Sequence, residues 1–389
     1  MEKSKVLVVG GTGYIGKRIV KASLAQGHIT YVLQRREMGL DIDKIQMLLS
    51  FKKQGARLIQ GSFSDHQSLV DAVKQVDVVI CTMSGVHFRS HNILLQLKLV
   101  DAIKEAGNIK RFIPSEFGTD PSRMGHALEP GRVTFDEKMR VRRAIEDAKI
   151  PFTYVTANCF AGYFAGNLSQ METLLPPRDK VTIYGDGNVK VVYMDEDDVA
   201  LYTIKTIDDP RTLNKTLNIR PPENVLSQRE LVEKWEKLIG KELQKISLSQ
   251  EDFLASMKGL DFASQVGVGH FYHFFYEGCL TNFEIGEEGE EASELYPDSS
   301  WAWVLPDRSL IGAREILVKS DLVRFDRCLW IEAREIGACG SELGRSMLSD
   351  RSCGSVLVTE MVWIRPRGRV DSEMGIEMGY KADSWVELI

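Results

Sequence analysis

The segment VLVVGGTGYIGKRIV, close to the start of the chain, places Gly10, Gly13 and Gly16 between a short apolar run and a helical pattern. Gly10 permits a tight turn, Gly13 lets the backbone approach a pyrophosphate, and Gly16 lets the helix pack on the strand. The N-terminus of the helix then offers N–H donors and a positive dipole end to an anion. The alternative is a glycine turn with a purely structural role. The strand before the turn and the helix after it favour a dinucleotide-binding unit.

Short apolar runs alternate with helical patterns over the first 160 residues. Strands are predicted for the runs KVLVVG, TYVLQ, ARLIQG, VDVVICT, IKRFIPS and FTYVTA. Helices are predicted for GYIGKRIVKASLAQG, HQSLVDAVKQ, NILLQLKLVDAIKEAG and FDEKMRVRRAIEDAK, the first of which ends at Gly27. Apolar strands separated by helices of this length indicate βαβ units and a parallel sheet with helices on both faces. We therefore predict an α/β fold with a Rossmann-like, doubly wound parallel sheet, whose dinucleotide-binding domain spans residues 1–160.

Residues 161–298 are predicted to form a smaller α+β region, interleaved with the sheet, that builds the substrate pocket. The segment KVTIYGDGNVKVVYM is typical of two strands around a turn at 186–188. The segment DEDDVALYTIKTIDD predicts a helix with acidic residues in its first turn, where the helix dipole favours them. The segment SQRELVEKWEKLIG begins with a capping box of Ser227 and Glu230 and ends at Gly240.

The second predicted strand ends in VLQRRE, which bears on the choice of cofactor. An acidic residue at this position would bind the ribose 2′-hydroxyl of NAD. Arg35 or Arg36 would instead meet the 2′-phosphate of NADP with a planar, bidentate donor. Lys44 could add a second cation, and the alternative is that one arginine only begins a loop. Two adjacent arginines favour NADP, so NADPH is the expected cofactor.

Overall composition excludes several classes of protein. A net charge of −6 and a pI near 5.8 argue against a nucleic-acid binder. The chain has no apolar run of about 18 residues, so we expect no membrane span. The first residues, MEKSKVLVVGG, carry neither a signal-peptide cleavage site nor an Arg-rich transit pattern. The six cysteines are scattered singly, which indicates neither a metal site nor a redox pair, and we expect a cytoplasmic protein with reduced thiols.

The segment VTFDEKMRVR raises the question of catalysis. Short-chain dehydrogenases often carry Tyr-x-x-x-Lys on the helix after the fourth strand, but the corresponding pair here is Thr134 and Lys138. A threonine hydroxyl is too weak an acid to replace a phenol. Lys138 must then titrate itself, or the substrate must supply the phenol; the alternative is a solvated surface lysine. Arg142, one turn away, would lower the pKa of Lys138 by like-charge repulsion and could also approach a cofactor phosphate.

Many segments resemble the plant isoflavone reductase-like group, an NmrA-type family of atypical short-chain reductases. They include GGTGYIG, PSEFGTDP, HALEPGRVTFDEKMRVRRAIE, NCFAGYF, YGDGN, DEDDV, TNFEI and EASELYPD, and the resemblance covers residues 4–298 almost continuously. The group contains pinoresinol–lariciresinol, phenylcoumaran benzylic ether and isoflavone reductases. Within it, SGVHFRSHNILLQLKLVDAIKEAG, DPSRMGHALEPGRVTFDEK and HFYHFFYEG are most similar to the pinoresinol–lariciresinol reductases.

The resemblance implies a set of site residues. Lys138 matches the general base of the family. The expected cofactor-binding residues that match the family are Gly10, Thr12, Gly13, Tyr14, Ile15, Gly16, Arg35, Lys44 and Arg142. Five more are expected to bind the cofactor because they follow the fourth and fifth strands, at whose carboxyl ends such sheets bind ligand, namely Thr82, Ser84, Arg89, Ser115 and Glu116. The expected substrate-binding residues are Met124, Gly162, Phe164 and His270. His270 could instead be a structural histidine, and Met124 and Phe164 could be plain core.

The implied reaction uses a phenolic lignan that carries its own acid. Deprotonation assisted by Lys138 would open the benzylic ether to a quinone methide, and NADPH would deliver hydride to the benzylic carbon. Two rounds would convert pinoresinol to lariciresinol and then to secoisolariciresinol. A phenylcoumaran benzylic ether or isoflavone reductase, and a non-catalytic NADP-sensing regulator, are the alternatives. The sequence leaves open the preferred enantiomer, whether both steps occur, and whether the chain is a homodimer.

Residues 299–389 depart from the family and from the rest of the chain. Residues 1–298 hold 22 Lys and 15 Arg, whereas residues 299–389 hold 2 Lys, 10 Arg and five of the six Trp. The family usually continues here with a short strand and an acidic helix. A changed reading frame, a retained intron or an alternative exon would explain the shift, and a further domain is less consistent with the missing periodicity. Loss of the closing helix would expose apolar surface and lower stability or solubility.

Overall fold

Five parallel strands form the central sheet of the computed structural model, which describes residues 3–35, 41–85, 93–171, 173 and 175–297. Their spatial order is β3-β2-β1-β4-β5. In chain order they are β1 (Lys5–Val9), β2 (Ile29–Gln34), β3 (Arg57–Gln60), β4 (Val78–Cys81) and β5 (Arg111–Ile113). This order is that of the first five strands of a dinucleotide-binding sheet, so the predicted Rossmann-like α/β fold is confirmed.

Helices cover both faces of this sheet. The connecting helices are α1 (Gly16–Ala25), α2 (Ile42–Lys53), α3 (His66–Val73), α4 (Gln96–Ala106) and α5 (Arg132–Asp147). Side chains alternate along β1, so Val6 and Val8 share a buried cluster with residues of α1 and α2, whereas Leu7 and Val9 join a second cluster with residues of α3, α4 and α5. The two clusters on opposite faces make the sheet doubly wound.

The sequence did not predict α2. Of its large apolar residues, Leu48 and Phe51 are buried, but Ile42 and Leu49 are 65% and 59% exposed. The helix therefore lacks the regular apolar stripe by which a surface helix is recognised. Asp41 caps its N-terminus by accepting a hydrogen bond from the backbone N–H of Lys44.

Eight further strands follow β5 along the described part of the chain. β6 (Thr153–Thr156) follows β5, and a parallel bridge joins Phe112 to Phe152. The remaining strands are β7 (Cys159–Phe160), β8 (Lys180–Tyr184), β9 (Lys190–Met194), β10 (Lys215–Asn218), β11 (Val225–Ser227), β12 (Gln244–Leu248) and β13 (Gly289–Glu291). β10 pairs in parallel with both β6 and β13. Strands from beyond residue 160 thus lie beside a strand from before it, and the boundary at residue 160 stays a prediction.

Short helices fill the second half and supply one wall of the site described below. They are α6 (Ala161–Phe164), α7 (Glu196–Thr206), α8 (Gln228–Ile239), α9 (Gln250–Ala255), α10 (Phe262–Tyr272) and α11 (Ala292–Leu295). A π-helical turn at His273–Glu277 continues α10, and single 3₁₀ turns lie at Ile93–Leu95, Pro121–Arg123, Pro210–Thr212 and Pro222–Asn224. Among the described residues, no helix has the length and apolar character needed to cross a bilayer. Arg36, Arg89 and the divergent residues 299–389 lie outside the described part of the chain.

The segment KVTIYGDGNVKVVYM differs from its prediction in one respect. Both strands and the turn are present, and Gly187 adopts φ +73° there. The strands do not pair with each other as a hairpin. β8 pairs in parallel with β12, and β9 pairs with β7 and β11. The partners of β8 and β9 lie far away in the sequence, so the local pattern of the segment could not predict the pairing.

Replacing Ser227 by alanine is predicted to lower the free energy of unfolding by about 1 kcal/mol, because it removes the predicted capping box of α8. The Ser227 hydroxyl accepts from the N–H of Glu230 at 3.2 Å, and the Glu230 carboxylate accepts from the N–H of Ser227 at 2.7 Å. Urea unfolding of the purified variant measures the change. Ser50→Ala, at an exposed position within α2 where the hydroxyl caps no helix, is the control and should not lower the midpoint.

Candidate functional site

A cavity of about 360 Å³ lies at the carboxyl ends of β1, β4 and β5. Parallel α/β sheets bind their ligands at this edge. The structure brings ten of the predicted site residues to its lining, namely Gly13, Tyr14, Ile15, Thr82, Ser84, Ser115, Glu116, Lys138, Phe164 and His270. The glycine-rich turn and Lys138 therefore face one space.

The glycine-rich turn is shaped for close backbone approach. Gly10 adopts φ +84°, and the N–H of Gly13 donates to the Gly10 carbonyl at 2.9 Å. A Cβ atom on Gly16 would lie 2.2 Å from the same carbonyl oxygen, so no side chain fits there. The N-cap position of α1 is Ile15, which makes no side-chain capping hydrogen bond. The turn leaves the start of α1 suited to a phosphate anion, and these residues fit a dinucleotide.

Polar side chains fasten the strand ends around the turn. The Thr82 hydroxyl donates to the Val9 carbonyl at 2.9 Å, which ties the end of β4 to the end of β1. The Ser115 hydroxyl donates to the Met83 carbonyl at 2.7 Å, which ties the segment after β5 to the segment after β4. Both hydroxyls therefore act on the backbone of the cavity floor.

Two cationic side chains near the end of β2 lie where the 2′-phosphate of NADP would bind. Arg35 directly follows β2 and is exposed. Lys44 lies in the first turn of α2, where its ammonium pairs with Asp41 at 2.7 Å and its side chain is 52% exposed. An exposed arginine at this strand end fits a phosphate better than a hydroxyl.

Lys138 is a buried lysine, not a solvated one. The residue is 9% exposed, and its ammonium donates to the backbone carbonyl of Glu116 at 2.8 Å. Burial is the main cause that lowers the pKa of Lys138, and repulsion by Arg142 lowers it further, while the Glu116 carboxylate opposes both effects. The predicted direction of the shift is confirmed, but desolvation contributes more than the neighbouring cation that the sequence suggested.

Arg142, for which a cofactor contact was expected, lies in a buried network of ion pairs. Its Nε donates to Glu116 Oε1 at 2.7 Å, its Nη2 pairs with Glu116 Oε2, and its Nη1 lies 3.0 Å from Asp120 Oδ1. The guanidinium also stacks 4.1 Å from the ring centre of Tyr154, and the side chain is 5% exposed. Burial alone would lower its pKa, but Glu116 and Asp120 raise it. Arg142 is absent from the cavity lining among the described residues and braces Glu116 beside Lys138.

The four expected substrate residues divide into two pairs. Phe164 and His270 line the cavity, and the His270 Nε2 lies 3.0 Å from the Gly131 carbonyl, just before α5. Met124 is fully buried in the hydrophobic core, which was its alternative interpretation. Gly162 lies outside the lining, and its N–H donates to Glu196 Oε1 at 3.0 Å. Met124 and Gly162 therefore lie outside the lining of the described cavity.

An aromatic wall completes the cavity, and apart from Phe164 its members were not predicted. Phe160 and Tyr163 come from β7 and α6, and Phe271 and Phe274 come from α10 and the π-helical turn. The rings contact one another, with Phe164 5.3 Å from Phe271 between ring centres. The aromatic repeat in HFYHFFYEG was the available signal, but the spacing alone does not separate core rings from cavity rings. An aromatic, mostly apolar wall suits a flat aromatic ligand.

Comparison with known proteins identifies a family and similar proteins. The model of the NmrA-like family matches residues 2–304. The chain is 79% identical over 301 residues to "Isoflavone reductase homolog" of Lupinus albus, which covers 77% of this chain and 96% of that protein. It is 72% identical over 306 residues to "Bifunctional pinoresinol-lariciresinol reductase" of Linum perenne, covering 78% of this chain and 98% of that protein.

The chain belongs to the NmrA-like family. Among solved structures, AtPrR2 with NADP+ and (+)pinoresinol is 64% identical, with a TM-score of 0.76, and the match covers 78% of this chain and 97% of that one. A crystal structure of isoflavone reductase is 41% identical, with a TM-score of 0.73 and coverage of 78% and 97%. The matched part of this NmrA-like chain contains every described residue of the cavity.

Two phenols of this NmrA-like protein line the described cavity, Tyr14 and Tyr163. The Tyr14 hydroxyl donates to Glu196 at 2.6 Å, and burial together with that carboxylate raises its pKa well above the ordinary range. Tyr14 is therefore a poor proton donor for chemistry. Thr134 also lines the cavity, one turn before Lys138, so a threonine stands at the position that carries the tyrosine in Tyr-x-x-x-Lys enzymes.

Two substitutions are predicted to move the pKa of Lys138 in opposite directions. Glu116→Gln removes the attraction that favours the ammonium, so the pKa should fall further. Arg142→Met removes a repelling cation and leaves the Glu116 carboxylate without that partner, so the pKa should rise. The titration of the ¹³Cε resonance in lysine-labelled protein measures both, with Lys138→Met identifying the signal. Shifts in one common direction, or a wild-type lysine that titrates like the exposed ones, would refute this electrostatic account.

Proposed function

We propose that this protein is an NADPH-dependent reductase that opens the benzylic ethers of furofuran lignans, converting pinoresinol to lariciresinol and then to secoisolariciresinol. The observation that carries the proposal is Lys138, a buried amine in an aromatic-walled cavity beside the glycine-rich turn. The relative named as a bifunctional pinoresinol-lariciresinol reductase and the solved neighbour with NADP+ and (+)pinoresinol support it.

Lys138 acts as the general base for the phenol of the substrate. Its lowered pKa keeps a larger fraction of the amine neutral than in an exposed lysine, and the Glu116 carbonyl holds its nitrogen in place. Proton transfer from the phenol to Lys138 lets the ring push electrons toward the benzylic carbon. The benzylic C–O bond then breaks, which leaves a quinone methide and an alkoxide that takes one proton from solvent. Reduction at the benzylic carbon restores the phenolate, which recovers the proton held by Lys138.

The chain's residues suit NADPH as the reductant. Gly10, Gly13 and Gly16 with the start of α1 would hold the pyrophosphate, and Arg35 and Lys44 would hold the 2′-phosphate. Bound NADPH supplies the hydride for the benzylic carbon. The aromatic wall would shield the quinone methide from water, which would otherwise trap it.

Lys138→Ala is predicted to reduce pinoresinol turnover by at least about 100-fold, because general-base catalysis is typically worth that factor or more. The affinity for NADPH should change little, since the turn and Arg35 are untouched. Product formation by chromatography and NADPH binding by fluorescence titration measure the two effects. Lys104→Ala, at an exposed site in α4, is the control and should retain full activity. Robust turnover by the Lys138 variant would remove the lysine from the mechanism.

Arg35→Asp is predicted to weaken NADPH binding by about tenfold or more, because a bidentate charge-assisted pair is lost and a like charge faces the 2′-phosphate. NADH lacks that phosphate, so its affinity should hold or improve. Parallel fluorescence titrations with both dinucleotides give the ratio. Unchanged discrimination between them would refute the assignment of Arg35.

The shape of the substrate pocket distinguishes this activity from the activities of related reductases. Phenylcoumaran benzylic ether reductases and isoflavone reductases would use the same lysine and cofactor with another substrate, and a crystal structure of isoflavone reductase shares the fold. Incubation with pinoresinol, dehydrodiconiferyl alcohol and an isoflavone under NADPH, followed by chiral chromatography, separates the three and gives the enantiomer preference. NADPH binding without consumption across this panel would favour a dinucleotide-sensing regulator.

A further inference from the structure

Tyr14 links the glycine-rich turn to a distant carboxylate. Its hydroxyl donates to Oε1 of Glu196, the first residue of α7, at 2.6 Å. Arg18 holds the other end of Tyr14, because it donates to the Tyr14 carbonyl at 2.9 Å and its guanidinium lies 4.5 Å from the ring centre. Arg18 also pairs with Asp197 at 3.1 Å, so turn and α7 are joined twice.

The same oxygen of Glu196 receives a second donor from the substrate side. The N–H of Gly162, in α6, donates to Glu196 Oε1 at 3.0 Å. Glu196 is 5% exposed, and burial raises the pKa of its carboxyl while the hydrogen bond from Tyr14 opposes that rise. One buried carboxylate oxygen therefore joins the cofactor turn to the helix that carries part of the aromatic wall.

Ring contacts extend this junction into the cavity. The Tyr163 ring stacks on Tyr14, with ring centres 4.4 Å apart, and Phe160 lies 6.0 Å from Tyr14. All three rings line the cavity. A displacement of Tyr14 would therefore change both the glycine-rich turn and the surface offered to an aromatic ligand.

Gly162 makes the junction sterically exclusive. A Cβ atom there would lie 2.5 Å from the Tyr14 hydroxyl oxygen and 2.9 Å from Glu196 Oε1. A side chain at this position must push the phenol away from the carboxylate. Gly162 does not line the cavity. Glycine is needed there because the Tyr14 hydroxyl and the Glu196 carboxylate lie too close for any side chain.

We propose that Glu196 is a positioning residue that holds the glycine-rich turn and the aromatic wall in fixed register through Tyr14 and Gly162. Dinucleotide and substrate sites are then coupled through one shared oxygen. The inference rests on the proposed function for the identity of the two ligands, but its geometry does not depend on which aromatic substrate is bound.

Glu196→Ala and Glu196→Gln form the primary test. The alanine variant loses the acceptor for both donors, so the KM for pinoresinol should rise about tenfold and the Kd for NADPH severalfold, with a smaller change in kcat. The glutamine variant keeps a side-chain carbonyl oxygen for Tyr14 and Gly162 and should stay within about threefold of wild type in both constants. Wild-type constants in the alanine variant, or equal losses in both variants, would overturn the proposal.

A second pair of variants tests the same junction from the glycine side. Gly162→Ala should raise the KM for pinoresinol, and adding Tyr14→Phe, which removes the oxygen that clashes, should recover part of the loss. Additive losses would contradict the steric coupling. If the wild type does not turn over any lignan, the proposed function fails, yet the NADPH titrations still decide the positioning role: the alanine variant at 196 must bind NADPH more weakly than the glutamine variant.

Discussion

The buried contact between Lys138 and Glu116 is the interaction on which the site depends. The backbone carbonyl of Glu116 accepts a hydrogen bond from the Lys138 ammonium, and the Glu116 carboxylate accepts hydrogen bonds from Arg142. An isolated ammonium would be expensive to bury, and this arrangement supplies a neutral acceptor while the nearby carboxylate stays occupied by another cation. The lysine therefore keeps a lowered pKa instead of forming a direct ion pair. Breaking the Glu116–Arg142 pair on one side costs about 3–5 kcal/mol in typical buried pairs, so chemistry and stability share this network.

The parallel sheet explains why these groups meet. The glycine-rich turn follows β1, Thr82 follows β4, and Ser115 and Glu116 follow β5, so their strand ends lie at one edge. α5 then returns Lys138 to that edge. Residues after β6, chiefly in α6 and α10, add the aromatic wall. One edge thus supplies an anion site, a base and an apolar surface.

Sequence reasoning predicted the sheet, most helices and the central lysine, because strand–turn–helix chemistry and lysine spacing are local signals. It missed α2, in which Ile42 and Leu49 are exposed, and the shorter or less amphipathic helices α6, α9, α10 and α11. It also gave no sign that two distant carboxylates bind Arg142. Met124 and Gly162, expected in the substrate wall, lie in the core and at the Glu196 junction. Pairing across more than 20 residues, as between Arg142 and Glu116, is decided by the tertiary fold and leaves no local pattern.

The proposed mechanism places the reduction at the benzylic carbon, after the ether opens. Its most direct test is incubation of the protein with pinoresinol and NADPH stereospecifically deuterated at C4 of the nicotinamide. The predicted result is lariciresinol with one deuterium at the benzylic carbon, from only one of the two labelled cofactors. A ring-opened product whose benzylic hydrogen comes from solvent, or cofactor oxidation without ether opening, would contradict it.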